Sequence, residues 1–329
     1  MNTTTFGDSS NQTKKSFLTV GIGASAGGIT PLKEFFTAMP ADSGIAFVVI
    51  LHLSPDYESQ LDVILQTVTT MPVVQVHETL EVKPNHVYVI PPNKYLVISD
   101  DKIRLAELEK SRGKRAPIDF FFRTMADAYD KHCIAIVLSG TGSDGSLGLK
   151  RVKESNGICL AQDPQEAEYS DMPSNAINTG VVDLVLTVDE MPKKLLELKR
   201  GIERFAPTPD EALNKVNGLN TNALHDVLLL VKTQTGHDFT NYKRPTMMRR
   251  VLRQMQVHSL DDIPPYVDFL HDHPEEITAL LRDLLISVTN FFRDKDAFAS
   301  LEEIVIPQLF QRQRASRRSA RLVRCVRHW

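Results

Sequence analysis

The sequence has few cysteines, no long apolar run and no excess of positive charge. The 329 residues include only three cysteines, at positions 133, 159 and 325, so the chain supports neither a disulfide framework nor a zinc site. No run approaches the roughly 18–20 apolar residues that span a bilayer, and the polar start MNTTTFGDSSNQTKK lacks the apolar core of a signal peptide. The 38 basic and 41 acidic residues nearly cancel, which gives no sign of nucleic-acid binding. We therefore expect a cytoplasmic protein without a metal site or a membrane-inserted segment.

The pattern of predicted elements changes near residue 200. Before it, apolar runs typical of strands alternate with helical patterns, which predicts an α/β fold with a doubly wound, mostly parallel sheet. The stretch VYVIPPNKYLVI predicts an inserted antiparallel hairpin that turns at Pro92-Asn93. The later stretch RFAPTPDEA contains two prolines and no apolar period, and the pattern beyond it is helical, which predicts a small all-α domain.

The stretch GIGASAGG, after the first predicted strand, has two interpretations. As G-x-G-x-x-A, with Gly21, Gly23 and Ala26, it predicts a turn that binds a dinucleotide. As G-x-S-x-G, with Gly23, Ser25 and Gly27, it predicts a nucleophile on a sharp turn.

The ends of the following strands bear on this choice. A dinucleotide fold needs an acidic residue at the end of the second strand, whereas the run AFVVILHL contains His52 there. Asp144 follows another strand in the turn LSGTGSDG, and Asp163 is a rival acid after ICLAQ. The carboxyl ends of parallel strands share one edge of a sheet, so Ser25, His52 and an acid can meet there, as nucleophilic acyl chemistry requires.

Five motifs carry a family resemblance. In order and spacing, GIGASAGG, HLSP, VYVIPP, LSGTGSDG and AQDPQEAEYSDMPSNAINTG resemble the catalytic domain of the chemotaxis receptor methylesterases, which also deamidate receptor glutamines. The resemblance covers residues 17–199. It implies Ser25 as nucleophile, His52 as general base and Asp144 as the acid that orients His52. The implied reaction is hydrolysis of a glutamyl methyl ester on a receptor helix through an acyl-enzyme.

The expected oxyanion donors are backbone N–H groups of this turn, with Gly23, Ala26, Gly27 and Gly28, and of the N-terminus of the following helix. Family members often have threonine where Ala26 stands and methionine where Thr141 stands. Many also carry an N-terminal phosphorylation-receiver domain. Only about fifteen polar residues precede the first strand here, so we expect no such control in cis.

The helical part has a resemblance of its own. The stretches GHDFTNYKRPTMMRRVLRQMQVHSL and LRDLLISVTNFFRDKDAFASLEEIVIPQL look like the N-terminal helical domain of the receptor methyltransferases. The resemblance implies that Arg249, Arg250 and Arg253 dock on the receptor and that Thr289 and Arg293 contact S-adenosylmethionine. Without the resemblance, an arginine-rich helix is more often a solvated face.

These patterns predict the domain plan: a polar tail over 1–15, a methylesterase domain over 16–199, a linker over 200–213, a helical domain over 214–310 and an arginine-rich tail over 311–329. The tail stands where methyltransferases continue into their cofactor-binding domain, so we expect an incomplete, inactive methyltransferase portion and no cofactor. The expected partner is the cytoplasmic helices of a chemotaxis receptor. The alternatives are an inert docking or scaffold protein of the chemosensory system and a dinucleotide enzyme, which His52 disfavours.

The 329-residue chain should neither bind S-adenosylmethionine usefully nor transfer its methyl group. Thr289 and Arg293 supply only a few contacts, and losing three or four good hydrogen bonds, at about 1.4 kcal/mol per tenfold in affinity, weakens a micromolar site beyond millimolar. Isothermal titration with hundreds of micromolar cofactor should give no binding heat. A micromolar affinity would contradict this expectation.

Overall fold

The computed structural model describes residues 17–51, 60–106, 116–204 and 221–285. The strands in this part of the chain are β1 (Leu18–Ala24), β2 (Ile45–Leu51), β3 (Val73–Gln75), β4 (Leu80–Glu81), β5 (His86–Val89), β6 (Tyr95–Ser99), β7 (Lys102–Ala106), β8 (Cys133–Val137), β9 (Ile158–Gln162) and β10 (Leu184–Leu186). The helices are α1 (Ile29–Ala38), α2 (Leu61–Gln66), α3 (Pro117–Tyr129), α4 (Ser146–Glu154), α5 (Asp171–Asn178), α6 (Glu190–Arg204), α7 (Thr221–Thr235), α8 (Arg244–Val257), α9 (Ile263–Asp272) and α10 (Pro274–Leu285).

Seven of the described strands form one parallel sheet in the order β10-β9-β8-β1-β2-β5-β3. From β1 the chain builds one half of the sheet through β2, and it later returns beside β1 as β8 to build the other half. The strand order therefore reverses between β1 and β8. Ligands of open α/β sheets bind at such a reversal, outside the carboxyl ends of the strands. The predicted α/β fold with a mostly parallel sheet is confirmed.

Helices cover both faces of this sheet, and β1 presents a different surface to each. On the face of α1 and α6 it buries the apolar side chains of Leu18, Val20 and Ile22. On the other face it presents Gly21 and Gly23. A Cβ at Gly21 would lie 3.0 Å from Met125 Sδ, and one at Gly23 would collide with the Ile118 side chain. Helix α3 therefore packs directly on the backbone of β1, which only glycine permits.

The hairpin predicted in VYVIPPNKYLVI is wrong. Its first half, β5, lies inside the parallel sheet, while β6 pairs antiparallel with β7 in a separate three-stranded sheet that also contains β4. The true turn is formed by Asp100 and Asp101, whose φ angles of 51° and 56° match the two-residue turn that suits strand twist. An Asp-Asp pair, in place of the more usual Asn-Gly, concealed this hairpin.

The helices after residue 220 have a core of their own. Helix α7 contacts α9 and α10, and α8 contacts α10, around side chains that include Val227, Val251, Tyr266 and Leu280. Helix α8 also contacts α6. An all-α region is thus confirmed over 221–285, and no helix of the described part is long and apolar enough to cross a bilayer. Helix α6 runs to Arg204, past the predicted boundary at 199, and 205–220 lie outside the described residues, so the domain boundaries stay a prediction.

Candidate active site

Ser25 follows β1 directly, at the point where the strand order reverses. The ladder between β1 and β8 continues beyond the strands, because the Leu138 N–H donates to the Gly23 carbonyl (2.9 Å) and the Ser25 N–H donates to the Ser139 carbonyl (3.0 Å). The backbone of Ser25 is therefore fixed to the segment that follows β8. We call this carboxyl end of β1 and β8 the active edge.

The chain turns from β1 into α1 over four residues. The Gly28 N–H donates to the Ser25 carbonyl (3.0 Å), and Gly27 has a φ of +69°, as in a type II turn with glycine at its third position. The Gly28 N–H, predicted as an oxyanion donor, is thus already used inside the turn. Helix α1 begins at Ile29 without a side-chain cap, so the positive end of its dipole opens at the active edge.

Sequence reasoning missed two residues that hold this turn, Ser139 and Gly140. The buried Ser139 hydroxyl donates to the Ala26 carbonyl (3.0 Å) and accepts a hydrogen bond from the Tyr169 N–H (3.0 Å). Because the peptide group is planar, the bond to Ala26 also fixes the direction of the following N–H group. A Cβ at Gly140 would lie 2.9 Å from the Ser25 Cβ, so glycine is needed there. Their position directly after a strand was the available signal.

His52 lies outside the described residues. Strand β2 is described up to Leu51, which is paired in register with Ala24 of β1. In the sequence, Ser25 and His52 each come one residue after a member of this pair. The role of His52 stays a prediction.

Asp144 lies in the turn between β8 and α4, and its carboxylate holds the start of α3. Oδ2 accepts the Ile118 N–H (3.1 Å) and Oδ1 accepts the Asp119 N–H (2.9 Å). The Ile118 side chain in turn packs on Gly23, two residues before Ser25. Asp144 is therefore linked to the Ser25 strand through α3 as well as along β8.

The environment of Asp144 disfavours its charged form. Burial raises the pKa of Asp144 to about 6, although the N–H groups of Asp119 and Ile118 act to lower it, and the nearby Asp119 carboxylate raises it further. Carboxyl groups with raised pKa values in clefts are typical of functional sites. The pKa and the position of Asp144 both fit the predicted acid.

The rival acid and the dinucleotide interpretation fit the structure less well. Asp163 Oδ1 accepts the Gln165 N–H (2.8 Å) in a local turn after β9, which is separated from β1 by β8. Gly21 and Gly23 make room for α3, so neither glycine is open to a pyrophosphate. Among the described residues, no three His, Cys, Asp or Glu side chains form a cluster suited to a metal ion.

The arginines predicted to dock on a receptor occupy two environments. All three lie on α8, but only Arg249 is exposed, whereas Arg250 and Arg253 are 4% and 3% exposed. The docking role predicted for Arg250 and Arg253 does not fit these positions, because both side chains are packed against other parts of the same chain. The predicted cofactor contacts, Thr289 and Arg293, lie outside the described residues.

Two protein families match the chain. The family described as CheB methylesterase matches residues 20–195. The family described as CheR methyltransferase, all-alpha domain, matches residues 222–285.

The chain is also similar to individual proteins and to a solved structure. A putative protein-glutamate methylesterase/protein-glutamine glutaminase of Leptospira interrogans is 34% identical over 181 residues, covering 55% of this chain and 94% of that protein. An uncharacterised 104.1 kDa protein of Rhodobacter capsulatus is 34% identical over 258 residues, which is 73% of this chain but only 27% of that longer protein. The crystal structure of the Thermotoga maritima CheB methylesterase catalytic domain superposes with a TM-score of 0.53 at 30% identity, covering 56% of this chain and 99% of the other.

Replacing Asp144 with asparagine should stabilise the fold more at neutral than at acidic pH. A carboxyl whose pKa rises from 3.8 in the unfolded chain to about 6 in the fold supports folding below pH 3.8 and loses that contribution as the pH rises through about 6. In urea unfolding, the free energy of unfolding of Asp144→Asn minus that of the wild type should rise by up to about 3 kcal/mol from about pH 4 to pH 8. Ser143→Ala, on the same turn, is the control. A pH-independent difference would contradict the raised pKa.

Proposed function

The chain belongs to the CheB methylesterase family, and we propose that it is a protein-glutamate methylesterase acting on the cytoplasmic helices of chemotaxis receptors. The same acyl chemistry extends to deamidation of receptor glutamines, in line with the term protein-glutamine glutaminase in the name of the Leptospira relative. The observation that carries the proposal is the position of Ser25. It stands on a sharp turn at the strand-order reversal, with Asp144 on the adjoining turn of the same edge.

Ser25 is the proposed nucleophile. Its backbone is fixed by the bond to Ser139, and the turn places it at the start of α1. Its Oγ attacks the ester carbonyl carbon, methanol leaves, and water then attacks the acyl-enzyme to release the glutamate. This order of steps needs no cofactor.

His52 and Asp144 form the proposed proton relay. His52 takes the Ser25 proton during attack and returns it to the leaving methanol, and Asp144 orients the imidazole and stabilises the imidazolium that forms. Support comes from register, since the residues before Ser25 and His52 are paired, and from the Asp144 turn on the neighbouring strand. Neutral imidazole and ionised Asp144 are both required, so hydrolysis should decline below about pH 6.

Backbone N–H groups of the turn form the proposed oxyanion site. The Gly28 N–H is occupied, which leaves those of Ala26 and Gly27 and of the first turn of α1. The Ser139 bond to the Ala26 carbonyl supports this assignment because it fixes the Ala26–Gly27 peptide. One such donor contributes about 3–4 kcal/mol to the transition state.

Ser25→Ala and His52→Ala should each abolish release of methanol from a methylated receptor preparation. Residues that act as one chemical unit lose function non-additively, so the double variant should be no slower than either single variant. Ser143→Ala changes an exposed serine beside Asp144, in the turn between β8 and α4, and should retain full activity. Circular dichroism should show that all variants are folded.

Two outcomes would overturn this assignment. Substantial turnover by Ser25→Ala would exclude a serine nucleophile. No turnover by the wild-type chain, with receptor binding intact, would support the alternative of an inert docking or scaffold protein.

The identity of the acid is tested separately. Asp144→Asn should lower turnover by up to about 10⁴-fold, because it presents the wrong histidine tautomer. Asp163→Asn removes a carboxylate from the neighbouring strand end and should leave turnover close to wild type. The reverse result would make Asp163 the orienting acid.

A further inference from the structure

Four charged side chains meet inside the protein where the helical region contacts the sheet-containing part. Lys153 of α4 and Asp183, just before β10, belong to the methylesterase match, while Arg253 of α8 and Asp283 of α10 belong to the CheR-type match. None of these side chains is more than 5% exposed. We call them the buried charge cluster.

Every charge in the cluster has partners from both regions. Lys153 Nζ lies 2.5 Å from Asp183 Oδ1 and 2.6 Å from Asp283 Oδ1. Arg253 contacts the other oxygen of each acid, at 2.5 Å from Asp183 and 2.7 Å from Asp283. Although burial opposes ionisation, Arg253 and Lys153 hold the pKa of Asp183 below its ordinary value. Two cations and two anions thus form a neutral, interleaved group.

The arginines of α8 also donate to backbone carbonyls in the last turn of α4 and just after it. Arg253 donates through Nε and a terminal nitrogen to the Gly157 carbonyl (3.0 and 2.8 Å), and Arg250 donates to the Lys153 carbonyl (3.3 Å). The C-terminal end of a helix carries the negative end of the dipole, which attracts cations. The forked guanidinium suits this site, since a lysine has no rigid, planar set of donors.

The cluster lies at the edge of the sheet opposite the active edge. Gly157 directly precedes β9 and Asp183 directly precedes β10, so both stand at the amino ends of parallel strands. Lys153 is near the end of α4, which begins beside the Asp144 turn and runs away from it. The contacts of this cluster between the helical region and the methylesterase part therefore lie away from Ser25.

We propose that α8 is a docking helix for the methylesterase part of its own chain, in place of the receptor surface that the methyltransferase resemblance implies. The site it fits is the end of α4 with Asp183. This site on the methylesterase part selects a CheR-type helical domain that brings a forked cation and an acid. Arg253 and Asp283 supply these two groups here. Removing one member of a buried ion group leaves an uncompensated charge, so partners without this pattern are rejected.

Hydrogen exchange on the full chain tests the proposal. Arg253→Ala and the milder Arg250→Ala should raise exchange in peptides covering 153–159 and 183–186, by about tenfold or more for Arg253→Ala, because local opening becomes easier. Arg249→Ala changes the exposed arginine of the same helix and is the matched control, with wild-type exchange expected. Peptides of β1 should stay protected in Arg250→Ala, which distinguishes local undocking from global unfolding.

Two further readouts separate this proposal from the proposed activity. Exchange requires no turnover, so the docking result stands even if the chain proves inactive. If the chain is active, Arg250→Ala should keep kcat within about twofold, since the cluster lies away from the active edge. The proposal is overturned if exchange at 153–159 and 183–186 is the same in Arg250→Ala, Arg253→Ala and Arg249→Ala. If Arg250→Ala instead loses co-sedimentation with the receptor while exchange is unchanged, the arginines dock on the receptor.

Discussion

The parallel pairing of β1 with β8 is the constraint on which the rest of the active edge depends. It reverses the strand order there, and open α/β sheets bind their ligands at such a reversal. The bond from the Ser25 N–H to the Ser139 carbonyl is the last rung of that ladder. Beyond it, one segment turns into α1 and the other reaches Asp144, which holds α3 against Gly23. Ser25 and Asp144, the proposed nucleophile and the proposed acid, are thus positioned by backbone bonds, as a preorganised site requires.

Local patterns predicted those parts of the site that depend on neighbouring residues in the chain. An apolar run followed by glycine and serine predicts a strand and a turn, and this was enough to single out Ser25 and Asp144. The roles of Ser139 and Gly140 depend on which strand lies beside β1, and a sequence pattern orders the strands along the chain without ordering them in the sheet. The misassigned hairpin has the same origin, because β5 matched the pattern of a hairpin strand although its partners are β2 and β3.

The arginines of α8 show a related limit. Their spacing predicts a basic helix face, but it does not specify what neutralises that face. The partners are Asp183 and Asp283, which are 70 and 30 residues from Arg253 along the chain. Neither acid stood out in the sequence, since a single aspartate has no pattern of its own. Only the packing of α8 on α4 reveals that this face is internal.

Buried charges are fully paired at one edge of the sheet and incompletely paired at the other. At the buried charge cluster every ion is already paired with a counter-ion in the resting structure. At the active edge, the contacts that the described residues make to the Asp144 carboxylate are backbone N–H groups, and its raised pKa shows that its charge is incompletely compensated. In the proposed mechanism, the missing cation is the imidazolium that forms only as Ser25 attacks. The interaction is then stronger in the transition state than in the resting enzyme, which is the condition for it to accelerate the reaction.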